Sequence, residues 1–130
     1  MSPKAKPTAL TFDTGITSAI RPVIVDGHEF TMDFDDADLL REILAVNEQI
    51  QKATEGYTEG EDPMPRVPGL LAIADDAKRV IDQALGEGAY VTIFGRSTSI
   101  VRALKLVTLL SIEVGPAYDA MFAEYVVTPG

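Results

Sequence analysis

The 130-residue chain has no cysteine and no tryptophan, and a single histidine, His28. Without cysteine there are no disulfides, no thiolate zinc sites and no cysteine nucleophile, a composition suited to a reducing compartment. His28 follows Gly27 in a turn, where side chains usually face water, and no Gly-x-Ser-x-Gly elbow occurs, so no nucleophile and base pair is recognisable. Positive charge is also scarce: eleven Lys and Arg stand against twenty Asp and Glu, a formal charge of −9. Such a surface repels phosphate backbones and anionic headgroups, which argues against nucleic acid and membranes as partners. Long apolar runs are missing as well. Met1–Pro7 is polar with two lysines and does not read as a signal peptide. The most apolar stretch, Ile100–Val114, is interrupted by Arg102, Lys105 and Glu113 and is short for a bilayer span.

The length fits one domain able to hold a core unaided. Residues 1–8 are expected to form a flexible arm, residues 9–126 a single globular domain, and residues 127–130 a tail. Leu10-Thr11-Phe12 alternates and then meets Asp13-Thr14-Gly15, which predicts a short strand and turn. Val23-Ile24-Val25, Asp26-Gly27 and Phe30–Phe34 predict a β-hairpin, because Asp-Gly supplies the positive φ angles of a two-residue turn. Phe30, Met32 and Phe34 then share a face that needs a helix to lie on.

That helix is predicted to start among Asp35, Asp36 and Asp38, whose carboxylates accept orphan amide bonds, and to run to about Ala53. Residues 54–68 hold three prolines, two glycines and four acidic residues and read as an exposed, mobile connection. A second helix is predicted over Gly69–Leu85, with Leu70, Ala74, Ala77, Ile81 and Leu85 on one stripe and Gly86 ending it. Ala89–Gly95 predicts a short helical turn. A third helix, capped by Ser97, Thr98 or Ser99, is expected to end at Gly115-Pro116, with a further one from Ala117 to about Val126. The expected fold is α+β, mostly α: an N-terminal β-hairpin followed by a small bundle of about four helices.

Two clusters resemble chemistry without matching it. Asp33–Asp38 lacks the glycine and distant glutamate of a calcium loop, and Ala37 sits where a ligand belongs, so a helix cap accounts for these carboxylates. Gly86-Glu87-Gly88 and Gly95-Arg96-Ser97 offer glycines, a cation and a hydroxyl but no phosphate-loop spacing, and helix termination is the simpler role. No metal, cofactor or catalytic residue is assigned.

The helix after Ser99 carries more information. At 100° per residue, Ile100, Ala103, Leu104, Val107, Leu110 and Val114 share one broad face, which is core. Val101, Leu106, Leu109 and Ile112 fall elsewhere, between Arg102, Lys105 and Thr108. Either the helix is central and wrapped by the others, or its second apolar side meets a partner. Leu106, Leu109 and Ile112 are the apolar positions the core face explains least. Met121, Phe122 and Tyr125 form a second apolar edge, and all six are candidate partner-binding residues. Leftover apolar surface of this kind favours self-association into a homo-oligomer.

The order of these features resembles a family of tail assembly chaperones from phages and prophages of Gram-positive bacteria. The resemblance rests on Val25-Asp26-Gly27-His28-Glu29-Phe30 running into Asp33-Phe34-Asp35-Asp36-Ala37-Asp38, then on Leu85-Gly86-Glu87-Gly88 and Ile93-Phe94-Gly95-Arg96, between Val23 and Tyr125. It implies a non-catalytic protein of the host cytoplasm that covers the helical tape measure protein before the tail tube protein polymerises around it. Other readings are a secretion-type chaperone or adaptor, a structural virion protein such as a head-completion or tail-tube component, and an enzyme built on carboxylates or on the Gly95-Arg96-Ser97 corner.

Overall fold

The computed structural model describes residues 7–126; residues 1–6 and 127–130, most of the expected arm and all of the expected tail, lie outside the described residues. The chain forms an antiparallel hairpin of β1 (Ile20–Val25) and β2 (His28–Asp33), followed by α1 (Ala37–Thr54), a 3₁₀ turn (Met64–Arg66), α2 (Val67–Leu85), the short α3 (Ala89–Phe94) and α4 (Val101–Tyr125). This is the α+β, mostly α architecture the sequence predicts.

The hairpin turns at Asp26 and Gly27, with φ of 48° and 84°, so both central residues take the left-handed conformation of a type I′ turn. Asp tolerates this region better than most side chains, and Gly at no steric cost. Val25 pairs with His28, and the register continues through Val23 with Phe30 and Arg21 with Met32. The Phe34 amide donates to the Ala19 carbonyl at 2.8 Å, extending the ladder by a residue pair. Alternation from that pair and from the Val25–His28 closure leaves Pro22, opposite Thr31, in a non-hydrogen-bonded pair, so its nitrogen is on the open side of β1. An edge strand with no N–H to offer there is blunted against further pairing.

Leu10-Thr11-Phe12, predicted as a strand, has no regular structure, and Leu10 and Phe12 are exposed. Alternation makes a strand only where an edge accepts it, and the free β1 edge is interrupted by Pro22. The segment after it does dock. Ile16 and Ala19 pack against the core, and the Ala19 amide donates to the Ile16 carbonyl at 3.2 Å.

α1 starts as its carboxylates predict. Asp36 is the N-cap, its Oδ1 accepting from the amides of Asp38 at 3.1 Å and Leu39 at 3.2 Å, a cap worth about 1 kcal/mol. Asp33 turns the chain just before, accepting from the Asp35 amide at 2.9 Å. Leu39, Leu40, Ile43, Val46 and Ile50 are buried at helical spacing.

The connection after α1 is more structured than its composition predicts. Arg66 donates from Nε to Glu61 at 2.8 Å and from Nη1 to the carbonyls of Ala53 at 3.1 Å and Glu55 at 2.8 Å. Its guanidinium also lies over the Tyr57 ring at 5.5 Å. One planar cation with five donors thus closes the end of α1 and folds the Pro-rich stretch back to the start of α2.

α2 buries Ile73, Ala74, Ala77, Val80, Ile81, Ala84 and Leu85, and Gly86 ends it at φ 113°. In α3, Tyr90 is the largest fully buried side chain. Its hydroxyl donates to the Ser97 carbonyl at 3.1 Å and accepts from the Ser99 amide, while its own amide donates to Asp82 at 2.8 Å. The predicted serine or threonine cap of α4 is not formed: the N-cap is Ile100, without a side-chain cap, while the Ser99 amide donates to Tyr90 and the Thr98 hydroxyl receives Lys78 at 3.1 Å.

α4 is one continuous helix through Gly115-Pro116, where the sequence predicts a break into two. Proline removes the bond to the Ile112 carbonyl, but both residues are exposed there, so water can take the free oxygen. Gly115, with no Cβ, relieves the clash that a residue before proline suffers. Beyond them Ala117 and Met121 are buried, and that burial holds the helical path. α4 packs on α1 and α2, and the core lies where the three long helices meet the inner face of the hairpin.

Candidate functional site

The side chains proposed for partner binding divide by burial. Leu109 is 49% exposed, Ile112 59%, Phe122 60% and Tyr125 75%, all on α4. Leu106 is 7% exposed and Met121 5%, so both belong to the core and not to a surface. Leu106 sits 40° from Leu110 in projection, and the hairpin end and α3 close over it: Val25 and Phe94 line the same groove. Met121 lies at the same angle as Ala103, inside the stripe facing α1 and α2.

α4 is therefore neither a fully wrapped central helix nor an unused one. Its inner stripe, Ala103, Leu104, Val107, Leu110 and Ala117, is buried, and its outer stripe is open. Val101, 74% exposed, extends the outer stripe by another two turns from Leu109. By length and composition α4 alone among the described residues could cross a membrane. Its inner stripe packs in the core, while 28% of its most apolar stretch is buried.

Grooves run beside that open face where α4 meets the hairpin. One of about 340 Å³ lies between Val25 and Asp26 on one side and Arg102, Lys105 and Leu109 on the other. Arg102 crosses it, bonded to Asp26 at 3.0 Å and lying 5.1 Å from the Phe94 ring centre. A second of about 300 Å³ separates Arg21, Pro22 and Val23 from Leu110 and Glu113. A third, about 150 Å³, lies between Ile16 and the side chains of Tyr118, Phe122 and Tyr125. The segment from Ile16 to Val25 thus runs antiparallel to α4, leaving shallow apolar troughs between them.

At its far end α4 is tied to this segment by Glu124. Its carboxylate accepts from the Thr17 amide at 3.0 Å, the Ser18 amide at 2.8 Å and the hydroxyls of both residues. Donation from the Ser18 hydroxyl, then the Thr17 hydroxyl and the Ser18 amide, holds its pKa at about 2. The clasp joins residues 106 and 107 positions apart, a pairing no local pattern announces.

Among the described residues, no group of three or more His, Asp or Glu side chains is placed to hold a metal ion. His28 and Arg96 are exposed at separate turns. The carboxylates of Asp33 and Asp36 are engaged by local amides, and the glycines at 86, 88 and 95 take positive φ at helix ends. Residues the sequence reading left out of the site are Val101, Lys105 and Glu113. Helical projection from Leu109 would have found them, since they lie within 80° of it on the same helix.

A hairpin laid on three packed helices, with apolar side chains left exposed along α4, defines a small α+β protein. The chain belongs to the family of unknown function DUF6673, whose model matches residues 26–128, from the hairpin turn past the end of α4. No curated protein and no solved structure matches the chain.

Proposed function

We propose that this protein is a non-catalytic binding protein of phage tail assembly, acting in the host cytoplasm to mask the tape measure protein until the tail tube protein polymerises around it. The observation that carries the reading is apolar surface left open on two sides of α4, Leu109 and Ile112 on its outer stripe and Phe122 and Tyr125 at its C-terminal end, on a chain of net charge −9. Exposed apolar side chains of this number on one helix mark a docking surface, and the surrounding negative charge keeps a complex with an apolar client dispersed. The ordered motifs from Val23 to Tyr125 supply the kind of partner.

Co-expression with the tape measure protein of the same genome tests this. The tape measure protein is expected to become soluble and to co-elute with the chain, and Ile112→Asp or Phe122→Asp to abolish both effects while leaving the helical circular dichroism intact. A tape measure protein equally insoluble with and without the chain overturns the proposal. Recovery of a secreted effector as the specific partner would replace it with a secretion chaperone, and abundance of the chain in purified particles with a structural virion protein.

A further inference from the structure

We infer that the outer face of α4 is also the contact surface for a second copy of this chain, packed antiparallel across a two-fold axis at Leu109. The inference does not depend on which partner the protein serves. It starts from the order of charges along the helix. The outward residues of the first half are cationic, Arg102 and Lys105, with no carboxylate between Val101 and Ile112; those of the second half are acidic, Glu113 and Asp119. This order is the reverse of what the helix dipole favours, which places anions at the N-terminus and cations at the C-terminus. The charges are therefore not arranged for the stability of the helix alone.

An antiparallel second copy answers that arrangement. Lys105 and Glu113 each lie four residues, about 6 Å along the axis, from Leu109. A two-fold axis there brings Lys105 of each copy level with Glu113 of the other and sets Leu109 against Leu109. Ile112 then meets the aliphatic stem of Lys105 across the seam, and Val101 meets Pro116. A parallel pairing would instead oppose Lys105 to Lys105 and Glu113 to Glu113. Within one chain neither group has an ion-pair partner among the described residues, whereas Arg41, Lys52, Arg66, Arg79 and Arg102 each do. Strand addition at the β1 edge of the hairpin is a poorer route to a dimer because Pro22 interrupts that edge.

Sedimentation equilibrium of the full chain across the micromolar range, at low and high salt, tests the pairing. The native chain is expected to show a monomer–dimer equilibrium that salt weakens. Lys105→Glu and Glu113→Lys each place two like-charge pairs across the seam and are expected to raise the dissociation constant about tenfold. An equimolar mixture of those two variants restores both opposite-charge pairs and is expected to dimerise as the native chain does. Leu109→Asp, at an exposed position, should keep the fold by circular dichroism and remain monomeric. A native chain that stays monomeric throughout overturns the inference. So does association unaffected by the single reversals, or a mixture that does not recover.

Discussion

Replacing Tyr90 by Phe removes one oxygen atom from the protein and tests how α3 and the start of α4 are joined. The ring is 2% exposed and keeps its contacts in the variant, including the Phe94 ring 5.0 Å away. The hydroxyl, however, both donates to the Ser97 carbonyl and accepts from the Ser99 amide, the last polar anchors before an uncapped helix. Each such bond contributes about 0.5–1.5 kcal/mol net, and the groups left behind are only partly open to water, so the loss should be about 1–2 kcal/mol. For a domain of this size that is a melting temperature lower by about 4–8 °C. Urea unfolding should give the same loss with an unchanged slope, since the surface exposed on unfolding is unaltered. Tyr90→Ala provides the scale: loss of the whole ring should cost about 3–5 kcal/mol. Hydrogen exchange adds a local readout, with the Ser99 amide exchanging faster in Tyr90→Phe while amides of the α1 core stay protected. A loss below about 0.5 kcal/mol, within the range of neutral surface changes, would refute the claim that this hydroxyl organises the link.

Two further outcomes follow from burial and charge. Leu106→Asp should unfold the domain or cost more than about 4 kcal/mol because it buries an unpaired carboxylate, whereas Leu109→Asp, three residues on, should stay within about 0.5 kcal/mol in the monomer; equal effects in thermal melts would contradict the division of α4 into an inner and an outer stripe. For Glu124, whose folded pKa of about 2 lies below the ordinary 4.5, the contribution to docking of residues 16–19 is present above pH 4.5 and is lost as the pH falls toward 2. Carboxyl NMR should place its midpoint near 2, and in Glu124→Gln the resonances of Thr17 and Ser18 should lose their acid transition; a midpoint near 4.5 would show that the clasp does not form.

What could be read from the sequence was what local chemistry decides. Asp26-Gly27 fixed the hairpin because few other pairs tolerate two positive φ angles in succession, and Asp36 marked the start of α1 because its carboxylate has amides to satisfy. Gly86 ended α2 for the same kind of reason. The misreadings share another origin. Gly115-Pro116 is a local stop signal, but Ala117 and Met121 find the core only if the helix continues, and their burial outweighs one lost hydrogen bond. Leu106 lies at the border of the core stripe, and its side is settled by Phe94 of the preceding α3 and by Val25 of the hairpin, far away in sequence. Of the candidate site, Leu109 and Ile112 were visible as apolar residues off the core stripe, and Met121 projects onto it at the angle of Ala103; Phe122 and Tyr125 project onto the core stripe as well, at the angles of Leu104 and Val107, yet are exposed because the core ends before them.

The Glu124 clasp fixes where mechanical load enters the molecule. It holds Thr17 and Ser18 beside the last turn of α4, so the two ends of the folded part, Ile16 and Tyr125, leave it at one pole. A pull applied to both ends is then borne first by a single carboxylate, before any tension reaches the hairpin or the helical core. A chain anchored at both ends to growing assemblies would yield there first, releasing residues 16–19 while α1, α2 and most of α4 stayed packed. Fusions placed at both ends would crowd one another at that same pole, and the turn around Thr58–Gly60, between α1 and the 3₁₀ turn, is the roomier point of attachment.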